Sequence, residues 1–206
     1  IDVQSDLDLK NNLDINSEEI PLAIGVVETT SVDFTFSPVQ EDSAAGSSIS
    51  LSQATLNDLA KHNEKVTDSE FTFAGNFAGK PTDSVVGTII YDGKAYNITS
   101  SGNGTSATAD VDFGPEGYDS SKDFKVVWGT VATNGDGTVQ TDVSGNPVVT
   151  EWNHTGGNMN VEVSSTVVDK ASNDSRDAVT GSGSAAFTPA ANAPTGLTVN
   201  DPNPVG

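Results

Sequence analysis

Val85-Val86-Gly87-Thr88-Ile89-Ile90-Tyr91 runs into Asp92-Gly93 and on into Lys94-Ala95-Tyr96-Asn97-Ile98-Thr99. Two runs rich in β-branched and aromatic residues, parted by Asp-Gly, predict a β-hairpin. Gly accepts positive φ, which a type I′ turn requires, and the twist of that turn matches the flanking strands. The rest of the chain follows the same pattern. Downstream, Ala107, Ala109, Val111 and Phe113 alternate until Gly114-Pro115 stops them. A strand is expected over 124–131 around Trp128, then a turn at Asn134-Gly135-Asp136-Gly137. Residues 139–152 read as one or two strands broken at Gly145-Asn146-Pro147, 159–168 as an alternating strand, and 178–187 as a final one. Upstream, Phe71, Phe73 and Phe77 share a segment opening near Ser69, and Val32, Phe34 and Phe36 alternate within 29–36. Alternation of this kind marks a strand with one buried face. Residues 40–48, mostly Ser, Ala, Gly and acid, read as a loop. Only 51–61 reads as a helix, with Leu56, Leu59 and Ala60 at helical spacing and Ser52 as N-cap. His62 stands at its end, where a cation suits the helix dipole. The expected fold is all-β: an antiparallel β-sandwich, Ig-like or jelly-roll, with one short helix and an extended N-terminal strand.

Composition narrows the function. The 206 residues hold 29 Asp and Glu against 9 Lys and Arg, for a formal charge of −20, and no Cys. Disulfides and thiolate metal sites are therefore excluded. No stretch approaches the roughly 20 apolar residues of a membrane-spanning helix. A chain this acidic, without a basic patch, repels nucleic acid. At low salt it repels its own copies too. The start at Ile1, without Met, suggests a processed mature form.

The first sixteen residues carry the sharpest pattern. Odd positions are Ile1, Val3, Ser5, Leu7, Leu9, Asn11, Leu13 and Ile15, six of eight apolar; no even position is apolar. Fifteen extended residues reach about 50 Å, well beyond an ordinary strand. The segment is either the first strand of its own sandwich or a strand inserted into a groove on another copy. Burying six aliphatic side chains would contribute on the order of 10 kcal/mol before ordering costs. Three parts are expected: a donor-type strand over 1–16, a β-sandwich over 17–187, and a Pro/Ala/Asn-rich tail or linker over 188–206.

Local chemistry is sparse. His62 and His154 do not form a metal-spaced pair, and neither HExxH nor Gly-x-Ser-x-Gly occurs, so no enzymatic role is expected. Asn134, Asp136 and Asp142 are a candidate Ca²⁺ set. Ala132 and Val143, however, stand where a Ca²⁺ loop needs its first and last oxygens, so a plain hairpin turn is the simpler reading. Asp110, Asp112 and Glu116 form an acidic cluster that reads as a solvated face. Trp128, Trp152 and Tyr118 are candidates for a sugar platform, with core packing as the alternative. Asn97, Asn103, Asn153 and Asn173 begin glycosylation sequons.

The alternating segment Ile1 to Ile15, followed by Val32-Asp33-Phe34-Thr35-Phe36-Ser37-Pro38, resembles the subunits of donor-strand fibres. These include cysteine-free chaperone–usher pilins of the colonisation-factor type, whose matching strand ends Tyr-Ser-Pro, TasA-like biofilm fibres and archaeal bundling pili. The resemblance implies a secreted structural subunit of an extracellular filament, assembled head to tail with its own copies, active in adhesion or biofilm. No catalytic residue follows from it. Two other classes fit the same composition: a viral tail-tube or capsid-decorating subunit, and a Ca²⁺- or carbohydrate-binding adhesin module.

Overall fold

The computed structural model describes residues 31–37, 39–40, 42–153, 158–173 and 179–188. They form β1 (Phe34–Phe36), β2 (Val39–Gln40), β3 (Ser47–Leu51), α1 (Gln53–Lys61), β4 (Glu64–Ala74), β5 (Val85–Tyr91), β6 (Lys94–Ser100) and β7 (Ser106–Asp112). Then follow β8 (Phe124–Val127), β9 (Gly129–Val131), β10 (Val149–Trp152), β11 (Asn158–Asp169) and β12 (Val179–Thr188). Ten strands make one sheet in the order β1-β3-β8-β5-β6-β7-β4-β11-β12-β2. All its pairings are antiparallel except β12 with β2.

The order contains its own closure. β1 and β2 lie at opposite ends of the sheet, yet only residues 37 and 38 separate them. Each residue spans at most about 3.5 Å, so the two ends meet within about 10 Å. The expected antiparallel all-β fold with one short helix is what forms, as a single sheet bent round nearly to closure. Its facing layers are two parts of that one sheet.

The predicted hairpin is β5–β6, paired from Val85 with Thr99 to Tyr91 with Lys94. Asp92 (φ 48°) and Gly93 (φ 77°) both take the left-handed conformation that a type I′ turn demands. Aromatic residues fill the interior. Phe71 packs edge-on to Phe34 (centroids 5.1 Å) and Phe124 (6.0 Å), and Trp128 is wedged against Phe73 and Phe77. In cross-strand register Phe71 lies between Val163 and Ala109, and Phe73 between Val161 and Ala107. Large residues on β4 thus meet smaller ones on each side.

A bulge keeps this face inward. Thr166 pairs with Asp68 and Val167 with Val66, so Thr67 is an extra residue on β4. Buried positions change parity across it, from Glu64 and Val66 to Ser69, Phe71 and Phe73. A buried polar pair in this wall is satisfied internally, with Ser69 Oγ and Ser165 Oγ 2.6 Å apart.

Several local readings are corrected. Ser47 to Leu51, partly read as loop, is β3, with Ser47, Ile49 and Leu51 buried. Residues 124–131 are two strands, β8 and β9, parted at Trp128. Only Val149–Trp152 of 139–152 is a strand, and β9 and β10 form a separate two-stranded sheet. They cover the outer side of β5 and β8, where Ile90, Val127 and Val131 make a second small core. The helix is as expected: Ser52 Oγ accepts from the Thr55 N–H at 3.2 Å, and Leu59 is buried. No helix among the described residues is long and apolar enough to cross a membrane.

Candidate functional site

The outer face of the same strands carries a concavity of about 760 Å³. Alternation along β4 sends Phe71 and Phe73 inward and Asp68 and Glu70 outward; along β7 it sends Ala109 and Val111 inward and Asp110 and Asp112 outward. Register then sets carboxylate opposite carboxylate, Asp68 against Asp112 and Glu70 against Asp110. Like charges directly opposite are destabilising. Among the described residues, none of the four forms an ion pair. Asp112 Oδ1 accepts from the Gly114 N–H at 2.7 Å. Ser164 and Thr166 of β11 border one side of the groove, and Tyr96, Gly114 and Pro115 the other.

The Tyr96 side follows from a parting of the sheet. β6 and β7 pair only at Thr99 with Thr108 and Ser100 with Ala107. Beyond these, β6 pairs with β5 and β7 with β4. The Tyr96 hydroxyl crosses the gap and donates to the Asp112 carbonyl at 2.8 Å. Burial, and next the nearby Asp112, hold the Tyr96 hydroxyl above its ordinary pKa. Sequence reading found Asp110 and Asp112 but not Asp68 and Glu70. The alternation of β4 signalled that those two face outward, but only the pairing of β4 with β7 brings the four together.

The candidate Ca²⁺ residues fall in two successive turns. In the first, the Gly137 N–H donates to the Asn134 carbonyl (3.0 Å) and the Asn134 N–H to the Thr138 carbonyl (2.8 Å). Eight residues on, Gly145 donates to Asp142 (3.0 Å) and Asp142 to Asn146 (2.8 Å). A cyclic set joins them at the base: Gln140 N–H to Ala132 O, Val148 N–H to Gln140 O, and Ala132 N–H to Val148 O. This repeat hides in the sequence because only Thr133/Thr141 and Gly137/Gly145 are identical at the offset. Asp136 Oδ1 accepts from the Thr138 hydroxyl (2.6 Å) and N–H (3.0 Å), which hold its carboxyl below the usual carboxylate pKa. Asp142 Oδ1 accepts from the Ser144 and Asn146 N–H groups at 2.8 and 2.9 Å. Each carboxylate thus organises its own turn. Among the described residues no three His, Asp or Glu side chains gather where a metal ion could sit.

The remaining candidates separate. Trp128 is buried, Tyr118 packs against the same core, and Trp152 lies on the second small core, so the three do not share one exposed face. Asn97, Asn103 and Asn173 are exposed. Asn153 is buried with its Nδ2 donating to the Val86 carbonyl at 2.8 Å, which withdraws that sequon nitrogen from modification in the folded chain. His62 Nε2 lies 3.4 Å from Asp58 Oδ1, one turn back on α1. Glu116 lies by α1 with Tyr118 and Lys170, apart from the groove. The proposed donor residues Ile1, Val3, Leu7, Leu9, Leu13 and Ile15 lie outside the described residues, as do His154 and the 188–206 tail after Thr188.

No family model, curated protein or solved structure matches this chain.

Proposed function

We propose that the chain is a structural, non-enzymatic subunit of an extracellular filament, a pilus or biofilm-matrix fibre. It polymerises head to tail by lending residues 1–16 to a neighbouring copy. The observation that carries this reading is the alternation of that segment, six of eight odd positions apolar against none of eight even ones. A strand with one apolar face needs a sheet edge and a core to bury it. β12 pairs with β11 over Val179 to Ala186; on its other side it pairs with β2 at Phe187 and Thr188 and lies beside β1. Glycans at Asn97, Asn103 or Asn173 suit the same exported subunit.

Negative-stain microscopy with light scattering tests it. Filaments of regular width are expected from the whole chain, and monomers from a chain lacking residues 1–16. Leu9→Asp places a charge in the buried strand face, costs several kcal/mol, and should abolish assembly. Filaments from the shortened chain would sink the proposal. The acidic groove favours a second reading, an adhesin-type binding module, which would stand if the whole chain stayed monomeric.

A further inference from the structure

The strand exchange proposed for residues 1–16 leaves the groove over β4 and β7 without an assigned role. We infer that it docks an extended basic peptide segment of a different protein, one carrying Lys or Arg at alternate positions. Three observations converge on this occupant.

The first is the unfinished ladder between β6 and β7. Antiparallel strands that begin to pair at Thr99–Thr108 and Ser100–Ala107 then part, and the Asp112 carbonyl that would face a neighbour is met by the Tyr96 hydroxyl instead. Among the described residues β6 and β7 share no ladder register over Ala109 to Asp112, and a parted pair of strands of this kind is where an added peptide strand can dock. The second is shape: about 760 Å³ of open concavity lies over the outer face of β4 and β7, bounded by Tyr96 and Pro115 on the parted side and by Ser164 and Thr166 on the other.

The third is charge and its spacing. Asp68 and Glu70 are two residues apart on β4, and Asp110 and Asp112 two apart on β7. Two residues of strand span about 7 Å, which is also the repeat of outward side chains on an extended peptide. Basic residues at alternate positions therefore meet one carboxylate pair each, Asp68/Asp112 and then Glu70/Asp110. They relieve the like-charge opposition the register imposes. A second copy does not fit this description. The basic residues of this chain are Lys10, Lys61, Lys65, Lys80, Lys94, Lys122, Lys125, Lys170 and Arg176, and no two of them are two apart. No stretch of these 206 residues therefore supplies such a segment.

The test uses the whole chain at physiological salt and two capped nonapeptides of one composition, Lys with Thr and Val. One alternates its lysines; the other places them in a block. Calorimetry should show the alternating peptide binding at least about tenfold more tightly. Asp68→Asn with Asp110→Asn should remove that preference, while Asp83→Asn with Glu151→Gln, outside the groove, should leave it intact. The groove variant should also melt no lower than the parent, because it loses repulsion rather than contacts. Equal binding of the two peptides, or equal loss from both double variants, would mean unspecific attraction to an acidic protein and overturn the inference. Binding of spermine or Ca²⁺ in the groove, without preference for the alternating peptide, would overturn it as well.

Discussion

The paired strands β4 and β7 and the twin turns over 133–147 reach order by opposite routes. In β4 and β7 little is local: Phe71 is held by residues from β1, β7, β8 and β11, between about 35 and 90 positions away. In the turns most hydrogen bonds are local, and the first turn is also tied to the β5–β6 hairpin, Ala95 N–H donating to Gly137 O (3.2 Å) and Val139 N–H to Gly93 O (2.8 Å). Asp136 reaches Thr138, Asp142 reaches Ser144 and Asn146, and Gly137 and Gly145 (φ 84° and 81°) complete the same bend eight residues apart. Val143, at the tip of the second turn, is fully exposed and buries nothing. Burial therefore holds the first region, and backbone conformation with short hydrogen bonds holds the second.

The largest effect that could break this contrast is at the centre of the first region. Phe71→Ala removes a fully buried ring and leaves a cavity, and should cost about 3–5 kcal/mol in urea unfolding. A loss no larger than that of a turn variant would refute the division. Ser69→Ala comes next. It strands the buried Ser165 hydroxyl and should cost about 1–3 kcal/mol, whereas Ser69→Ala with Ser165→Ala should cost less than the two single changes summed. Additive losses would show that the pair is not coupled. The smallest effect sharpens the other side. Gly137→Ala and Gly145→Ala each force a side chain into the left-handed region and should cost about 1 kcal/mol apiece. Equal losses, with faster amide exchange confined to 132–148, would establish the turns as one device used twice. Exchange that quickens throughout the sheet would show them tied to the core.

Legibility in the sequence follows the same division. The β5–β6 turn was readable because Asp92-Gly93 encodes its own conformation, and α1 because Ser52 supplies its cap within three residues. β3 was missed because Ser47, Ser48 and Ser50 carry no apolar signal, although Ile49 and Leu51 find the core through pairing with Phe36 and Phe34. The twin turns were seen singly, since two identities in seven do not announce a repeat. Of the groove, Asp110 and Asp112 were visible as neighbours on one strand, while Asp68 and Glu70 joined them only through register.

By itself, then, the sequence determined the class of the protein: strands by their period of two, turns by Gly and Asp, one helix by its cap, and an acidic chain without thiols. Those features act over a few residues, and side-chain alternation or a required φ is sufficient to express them. Tertiary structure alone decided the strand order, the near-closure through β1 and β2, the bulge at Thr67, and the meeting of four carboxylates outside a wall of phenylalanines. The physical reason is that a half-buried strand specifies which of its faces is apolar but not which strand lies beside it. That choice is made by the shared interior, where each large side chain must find a smaller one opposite, and the outer face receives whatever neighbours the interior has chosen.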